Sequence, residues 1–169
     1  MSYGPSQRLR CPCCGEVFVL GDAVPVAEGP DAPDACSAGA TLPIRIVFDG
    51  GSIGNPGRGY GSYQLTVRGK AEQPKRLEFS DEHTSNEAEY DTLLEALEAV
   101  LRRAMDPRRV RLDIWGDSQL VINQINGTWK AKDARMRERL EQVHALLRQF
   151  GGWTATWHKR GNSVRALGH

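Results

Sequence analysis

No apolar run in this 169-residue chain approaches the roughly 20 residues needed to span a bilayer. Met1-Ser2-Tyr3-Gly4-Pro5 also lacks the charged-then-apolar layout of a secretory signal, so the expectation is a cytoplasmic protein with no membrane partner. Neither sign of charge dominates: the formal net charge is +1. Residues 1–40 carry two arginines against five acids, a net −3, which leaves +4 for the remainder. That modest excess suits a phosphate-backbone partner without identifying one. Glycine is dense after Asp49, at Gly50, Gly51, Gly54, Gly57, Gly59 and Gly61. No Gly-Lys-Ser/Thr ending follows and no helix opens there, which excludes a phosphate loop; Asn55-Pro56-Gly57 reads instead as a turn between strands. Histidine is absent before His83, and no Asp or Glu follows Glu141.

Such a length buries one substantial core, and residues 41–169 suffice for it. Residues 1–40 form a compositional unit of their own, holding all four cysteines and five of the nine prolines. Cys11-Pro12-Cys13-Cys14-Gly15-Glu16 resembles one knuckle of a zinc ribbon. Cys11, Cys14 and Cys36 are its candidate zinc ligands. A closed site needs a fourth, from Cys13 or elsewhere, and the alternatives are a degenerate ribbon or a tail of reduced thiols. Residues 27–40, rich in Pro, Asp, Gly and Ser, read as a linker.

In the larger unit three acids stand in apolar or small-residue settings at the ends of regular elements. Asp49 ends the strand-like run Ile44 to Phe48, and Asp117 ends Val110 to Gly116. Asp117 also precedes the helix-like run Leu120 to Ile125, so capping and metal binding compete as its role. Glu89 lies near the start of a long helix whose stripe is Tyr90, Leu93, Leu94, Leu97, Leu101 and Ala104. Helical phase puts Glu89 at the border of the buried face and turns Glu87 and Asp91 toward solvent, which predicts a silent Glu87→Gln. Acids in such surroundings point to divalent-metal chemistry, with hard oxygen ligands suiting Mg²⁺ or Mn²⁺.

Four ordered motifs carry a family resemblance: Asp49-Gly50-Gly51-Ser52 with Asn55-Pro56-Gly57, Thr84 to Tyr90, Asp117-Ser118-Gln119, and Asn126-Gly127-Thr128-Trp129. Over roughly residues 43–160 the chain resembles type 1 ribonuclease H. The resemblance implies an α/β, ribonuclease H-like fold, a mixed five-stranded sheet flanked by helices, with the cysteine-containing extension in front. It also implies hydrolysis of the RNA strand of RNA/DNA hybrids, with two ions held by Asp49, Glu89 and Asp117. One ion would activate water and the other would stabilise the leaving 3′-oxygen. Substrate contacts are expected from Gly51, Ser52, Asn55, Thr84, Ser85, Asn86, Gln119 and Trp129. Ser85 stands where the family usually has asparagine, and helix capping is its alternative role. Trp129 serves either packing or stacking, beside Lys130 and Lys132 on a connector without the basic handle of some relatives.

Beyond the final strand, Trp153 to His158, the resemblance breaks. The family's fourth acid has no counterpart after Glu141. Candidate replacements are the His169 imidazole, which also serves as a candidate catalytic proton shuttle, the α-carboxylate of that residue, and Asn162; three acids with water are the remaining possibility. Two rivals accompany the nuclease reading. One is a module that binds hybrid or double-stranded RNA without turnover, and the other is a proofreading exonuclease on the same fold, which the Asp117-Ser118-Gln119 and Asn55-Pro56-Gly57 motifs fit poorly.

Overall fold

The computed structural model describes residues 41–168, together with the backbone of Gln7–Arg10 and Val17–Leu20. These residues fall into two units, within Met1–Ala40 and Thr41–His169. In the first, β1 (Gln7–Arg10) and β2 (Val17–Leu20) pair antiparallel, with Arg10 opposite Val17. Cys11, Cys13, Cys14 and Cys36 lie outside the described residues, as does His169.

The second unit begins with β3 (Leu42–Gly54), β4 (Gly57–Val67), β5 (Lys70–Ala71), β6 (Lys75–Glu78) and α1 (Ser85–Arg103). A 3-10 turn, Pro107–Arg109, leads into β7 (Val110–Gly116), α2 (Gln119–Ile125), α3 (Ala134–Leu147), β8 (Gly152–Trp157) and α4 (Arg160–Leu167). β3 runs antiparallel to β4 and parallel to β7, and β7 runs parallel to β8. The free edge of β4 takes β5 at one end and β6 at the other. The mixed sheet is therefore five strands wide and has six by count. The addition to the expected five is the two-residue β5, folded back by Arg68 (φ 50°) and Gly69 (φ 77°), the positive pair of a tight hairpin turn.

Phe48, Ile46, Ile114 and Leu112 of the central strands are buried against the α1 stripe of Tyr90, Leu93, Leu97 and Val100. α3 closes this core from outside with Met136, Val143 and Leu147. Deep in it, the Tyr90 hydroxyl donates to Gln124 Oε1 at 2.8 Å, which satisfies a polar pair that burial would otherwise penalise. Side chains alternate along a strand, so Gly50 and Gly61 face α1 while Asp49 and Ser62 face the other way. A Cβ at Gly50 would lie 2.6 Å from backbone atoms of Ala88, and one at Gly61 would collide with Thr92. The two glycines thus let β3 and β4 approach the first turns of α1 more closely than any side chain permits. α4 lies on the opposite face of β3 and β4, beside Asp49. Among the described residues no helix is long and apolar enough to cross a membrane.

Candidate metal centre

Asp49 projects from the middle of β3, Asp117 follows the last residue of β7, and Glu89 sits one turn into α1. The parallel β3–β7 register and the close β3–α1 packing bring them together. One oxygen from each lies within 4.8 Å of the others. Asp49 is 2% and Glu89 7% exposed, and the Asp117 side chain is 6% exposed. Burial, then the Asp49 and Asp117 charges, drive the Glu89 carboxyl well above its ordinary range. The Gly50 N–H, donating to that carboxylate, offsets part of this. Asp117 is likewise raised, by burial and by Asp49, against the opposing pull of Arg160, Ser163 and His158. Glu89 Oε2 is buried and accepts no hydrogen bond from the described residues. Three converging, dehydrated, mutually repelling carboxylates with an unused buried oxygen match the donor set of a hard divalent cation.

The competing roles resolve locally. Ser118, not Asp117, caps α2, its hydroxyl accepting from the Val121 N–H at 3.4 Å. Thr84, not Ser85, caps α1. Ser85 instead pairs its hydroxyl with that of Ser52 at 3.1 Å, and its N–H donates to Asn55 Oδ1 at 3.2 Å. Ser52, Asn55 and Ser85 thus form one polar row at the entrance to α1, beside buried Gly51, which Tyr60 covers. His83 ties this row to the helices. Its backbone exchanges hydrogen bonds with Gly57 at 2.8 and 2.9 Å, and its Nε2 pairs with Asp91 at 2.8 Å. Asn86 and Gln119 are exposed at the starts of α1 and α2. Trp129 is 49% exposed, which places it on the surface rather than in the core.

The expected solvent-facing position of Glu87 is corrected. It is 3% exposed, and Oε2 accepts from the N–H and hydroxyl of Thr84 at 2.8 and 2.7 Å. Oε1 faces Arg135 and Arg139 at 3.2 and 3.5 Å. Burial raises its pKa, but the Thr84 hydrogen bonds and the two arginines outweigh that and hold the carboxyl below its ordinary value. Helical phase missed this because the cover comes from α3, some fifty residues later. Asp91 is also partly covered, held by Arg139 Nε at 2.8 Å.

Of the proposed fourth ligands, Asn162 is exposed on α4. Gly168, the last described residue, offers its carbonyl to Arg76 Nη2 at 3.4 Å. Arg76 is two strands from Asp49, opposite Ser62 in the register that also sets Ser62 opposite Asp49. What α4 brings to the acids is different. Arg160 Nη1 stands 3.9 Å from Asp49 Oδ1 and 4.0 Å from Asp117 Oδ2, and the hydroxyl of buried Ser163 helps to lower the Asp117 pKa. From β8, Trp157 Nε1–H donates to the Asp117 carbonyl at 2.9 Å. None of these was singled out as a site residue from sequence; for Arg160 the signal was its place directly after the last strand.

Comparison with known proteins agrees with this architecture. The family model described as reverse transcriptase-like matches residues 65–167. Ribonuclease HI of Halobacterium salinarum is 33% identical over 123 residues, covering 73% of this chain and 60% of that protein. A bifunctional protein of Mycobacterium tuberculosis is 30% identical over 126 residues, 74% of this chain and 34% of its own length. The chain therefore spans about three fifths and one third of these relatives. The crystal structure of RNase H1 from Halobacterium salinarum superposes with a TM-score of 0.66 at 32% identity, covering 73% of this chain and 90% of that one. LC11-RNase H1, isolated from compost by a metagenomic approach, gives 0.66 at 26% identity, with 73% and 89% covered.

Proposed function

The chain belongs to the reverse transcriptase-like, ribonuclease H-like family, and from that premise we propose that it is an endonuclease hydrolysing the RNA strand of RNA/DNA hybrids. Asp49, Glu89 and Asp117 would hold two Mg²⁺ or Mn²⁺ ions. The observation that carries the reading is the convergence of these carboxylates from three separate elements onto one buried point. Bound there, the cations supply charge neutralisation at the phosphodiester and acidify the attacking water. Water adds to phosphorus as the bond to the 3′-oxygen breaks, leaving a 3′-hydroxyl and a 5′-phosphate.

The protein's own groups act around that event. Burial, and then repulsion from the neighbouring acids, disfavours ionised Glu89 and Asp117, and a bound cation would relieve that repulsion. Arg160, two-thirds exposed, keeps a guanidinium at the mouth of the site where a phosphate arrives. Ser52, Asn55 and Ser85 offer hydroxyl and amide groups to 2′-hydroxyls and backbone, the feature by which RNA is told from DNA. A module that only bound nucleic acid would gain nothing from three buried acids that repel phosphate. The test is Asp49→Asn on labelled hybrid with Mg²⁺ or Mn²⁺. Cleavage should fall by orders of magnitude with the fold intact, DNA duplex should resist the wild type, and unchanged turnover in the variant would dispose of the metal centre.

A further inference from the structure

The family's fourth acid is missing, and the side chain that α4 turns toward Asp117 is a hydroxyl. Ser163 is fully buried and lies 2.7 Å from His158 Nε2, and its hydroxyl is among the groups that pull the Asp117 pKa down. His158 is 8% exposed, and its backbone N–H extends the β7–β8 pairing by donating to the Gly116 carbonyl at 3.0 Å. Its ring rests against Trp115, centroids 5.8 Å apart. We infer that His158 and Ser163 form a one-way chain of donors that orients the Asp117 carboxylate for cation binding, doing by positioning what the absent acid does by ligation. This rests on the metal-nuclease reading above.

Counting protons sets the direction of the chain. An ionised carboxylate only accepts, so the single Ser163 proton points to Asp117. The Ser163 oxygen then accepts from His158, which must carry its proton on Nε2. Burial lowers the His158 pKa, against the pull of the Asp117 and Asp49 charges, a direction consistent with the neutral ring that this arrangement uses. With its proton given to Asp117 and its oxygen engaged by His158, the hydroxyl is spent on neighbours and is not itself a cation ligand. Meanwhile Trp157 fixes the Asp117 carbonyl, so both ends of this residue are held from the β8–α4 corner. Outer groups that orient a ligand typically change metal affinity 10- to 100-fold when removed.

Mn²⁺ binding to the full chain, followed by calorimetry or by the electron paramagnetic resonance signal of free Mn²⁺, tests the chain alongside thermal melting and hybrid cleavage. Ser163→Ala and His158→Leu should each weaken binding about tenfold, and the double variant no more than either, because the groups act in series. His158→Gln, whose amide nitrogen reaches the Nε2 position, should bind Mn²⁺ like the wild type, whereas His158→Asn, a bond shorter, should resemble Ser163→Ala. In cleavage, the variants should need about tenfold more Mn²⁺ for half-maximal turnover. Should His158→Leu not fold, the Gln and Asn pair decides. Binding within twofold of wild type in Ser163→Ala overturns the chain. So does a loss in Ser163→Ala that His158→Leu and His158→Asn do not share, which would make the hydroxyl a direct ligand. Asp49→Asn separates this from the premise: if it binds Mn²⁺ like the wild type, the metal centre itself is wrong, whereas a dead Asp49→Asn beside a flat 158/163 series removes only the donor chain.

Discussion

Glu87 and Glu89 stand two residues apart on α1, both buried, and should respond to the same Glu→Gln change in opposite ways. In Glu87→Gln the amide keeps one acceptor for Thr84 but loses the charge facing Arg135 and Arg139 and turns an NH₂ group toward guanidinium donors. Arg135 is 58% exposed, so that pair contributes little; Arg139 is 20% exposed and keeps Asp91 as a partner. The larger loss is the charged half of the capping box, giving about 1–2 kcal/mol in all. That corresponds to a melting temperature lower by roughly 4–8 °C for a domain of this size. Cleavage per folded molecule should persist. Glu89→Gln removes a carboxylate that burial and two neighbouring acids disfavour, so the metal-free protein should melt no lower than wild type while Mn²⁺ binding and cleavage collapse. Denaturant titration without metal, paired with turnover on labelled hybrid, reads both. A stable but inactive Glu87→Gln, or an unstable but active Glu89→Gln, would show that the roles of the two residues are exchanged.

Three further outcomes follow from the same geometry. Because the folded-state pKa of Glu89 lies above its unfolded value, the native state binds more protons in that interval, and metal-free stability should fall as pH rises from the ordinary glutamate range; saturating Mg²⁺ should flatten the slope, and a metal-free protein whose stability rises there would contradict the assignment. Gly50→Ala should destabilise by about 1–3 kcal/mol or more, since a methyl 2.6 Å from the Ala88 backbone pries β3 from α1, and should weaken Mn²⁺ binding by separating Asp49 from Glu89; wild-type melting and binding would refute the close packing. A chain starting near Ala40 should still cut hybrid, because every proposed catalytic residue lies beyond it; a folded but inactive truncation would make residues 1–40 part of substrate binding, and stoichiometric zinc in the full chain would assign the cysteines.

Glu89 and Asp117 were legible because each is marked by a local pattern, a helical phase beside an apolar stripe and a strand that ends. Asp49 was expected at a strand end too, but β3 runs on to Gly54 because Gly50 to Gly54 keep pairing with β4, so its mark was the apolar run before it. The strands themselves were legible as β-branched and apolar runs, and Val110–Gly116 matches its expected span residue for residue. What escaped depends on contacts distant in sequence. Glu87 looks solvent-facing until α3 arrives with Arg135 and Arg139, and no period in α1 encodes that. Ser163 and Leu167 are the buried pair of α4, four residues apart, yet a serine does not register as the inward position of so short a helix. His158 and Trp157 read as ordinary members of an alternating strand; only the β7–β8 register sets them beside Asp117.

The charge at the site leads to a last prediction. Three carboxylates and the Arg160 guanidinium sum to a formal −2 when all are ionised. Two divalent cations bring +4, so full occupancy by protein ligands alone would leave a dehydrated excess of positive charge, which is costly in a buried setting. A phosphodiester entering beside Arg160 supplies the missing negative charge. Cation and hybrid should therefore bind cooperatively, each raising the affinity of the other by the same factor, as linkage requires. Mn²⁺ titrations of the wild type, with and without a hybrid made uncleavable by 2′-deoxy substitution at the cut site, should show tighter binding or a second equivalent only with hybrid present, and hybrid titrations should show the reciprocal gain with Mn²⁺. Two tight Mn²⁺ equivalents in the free protein would overturn this charge argument.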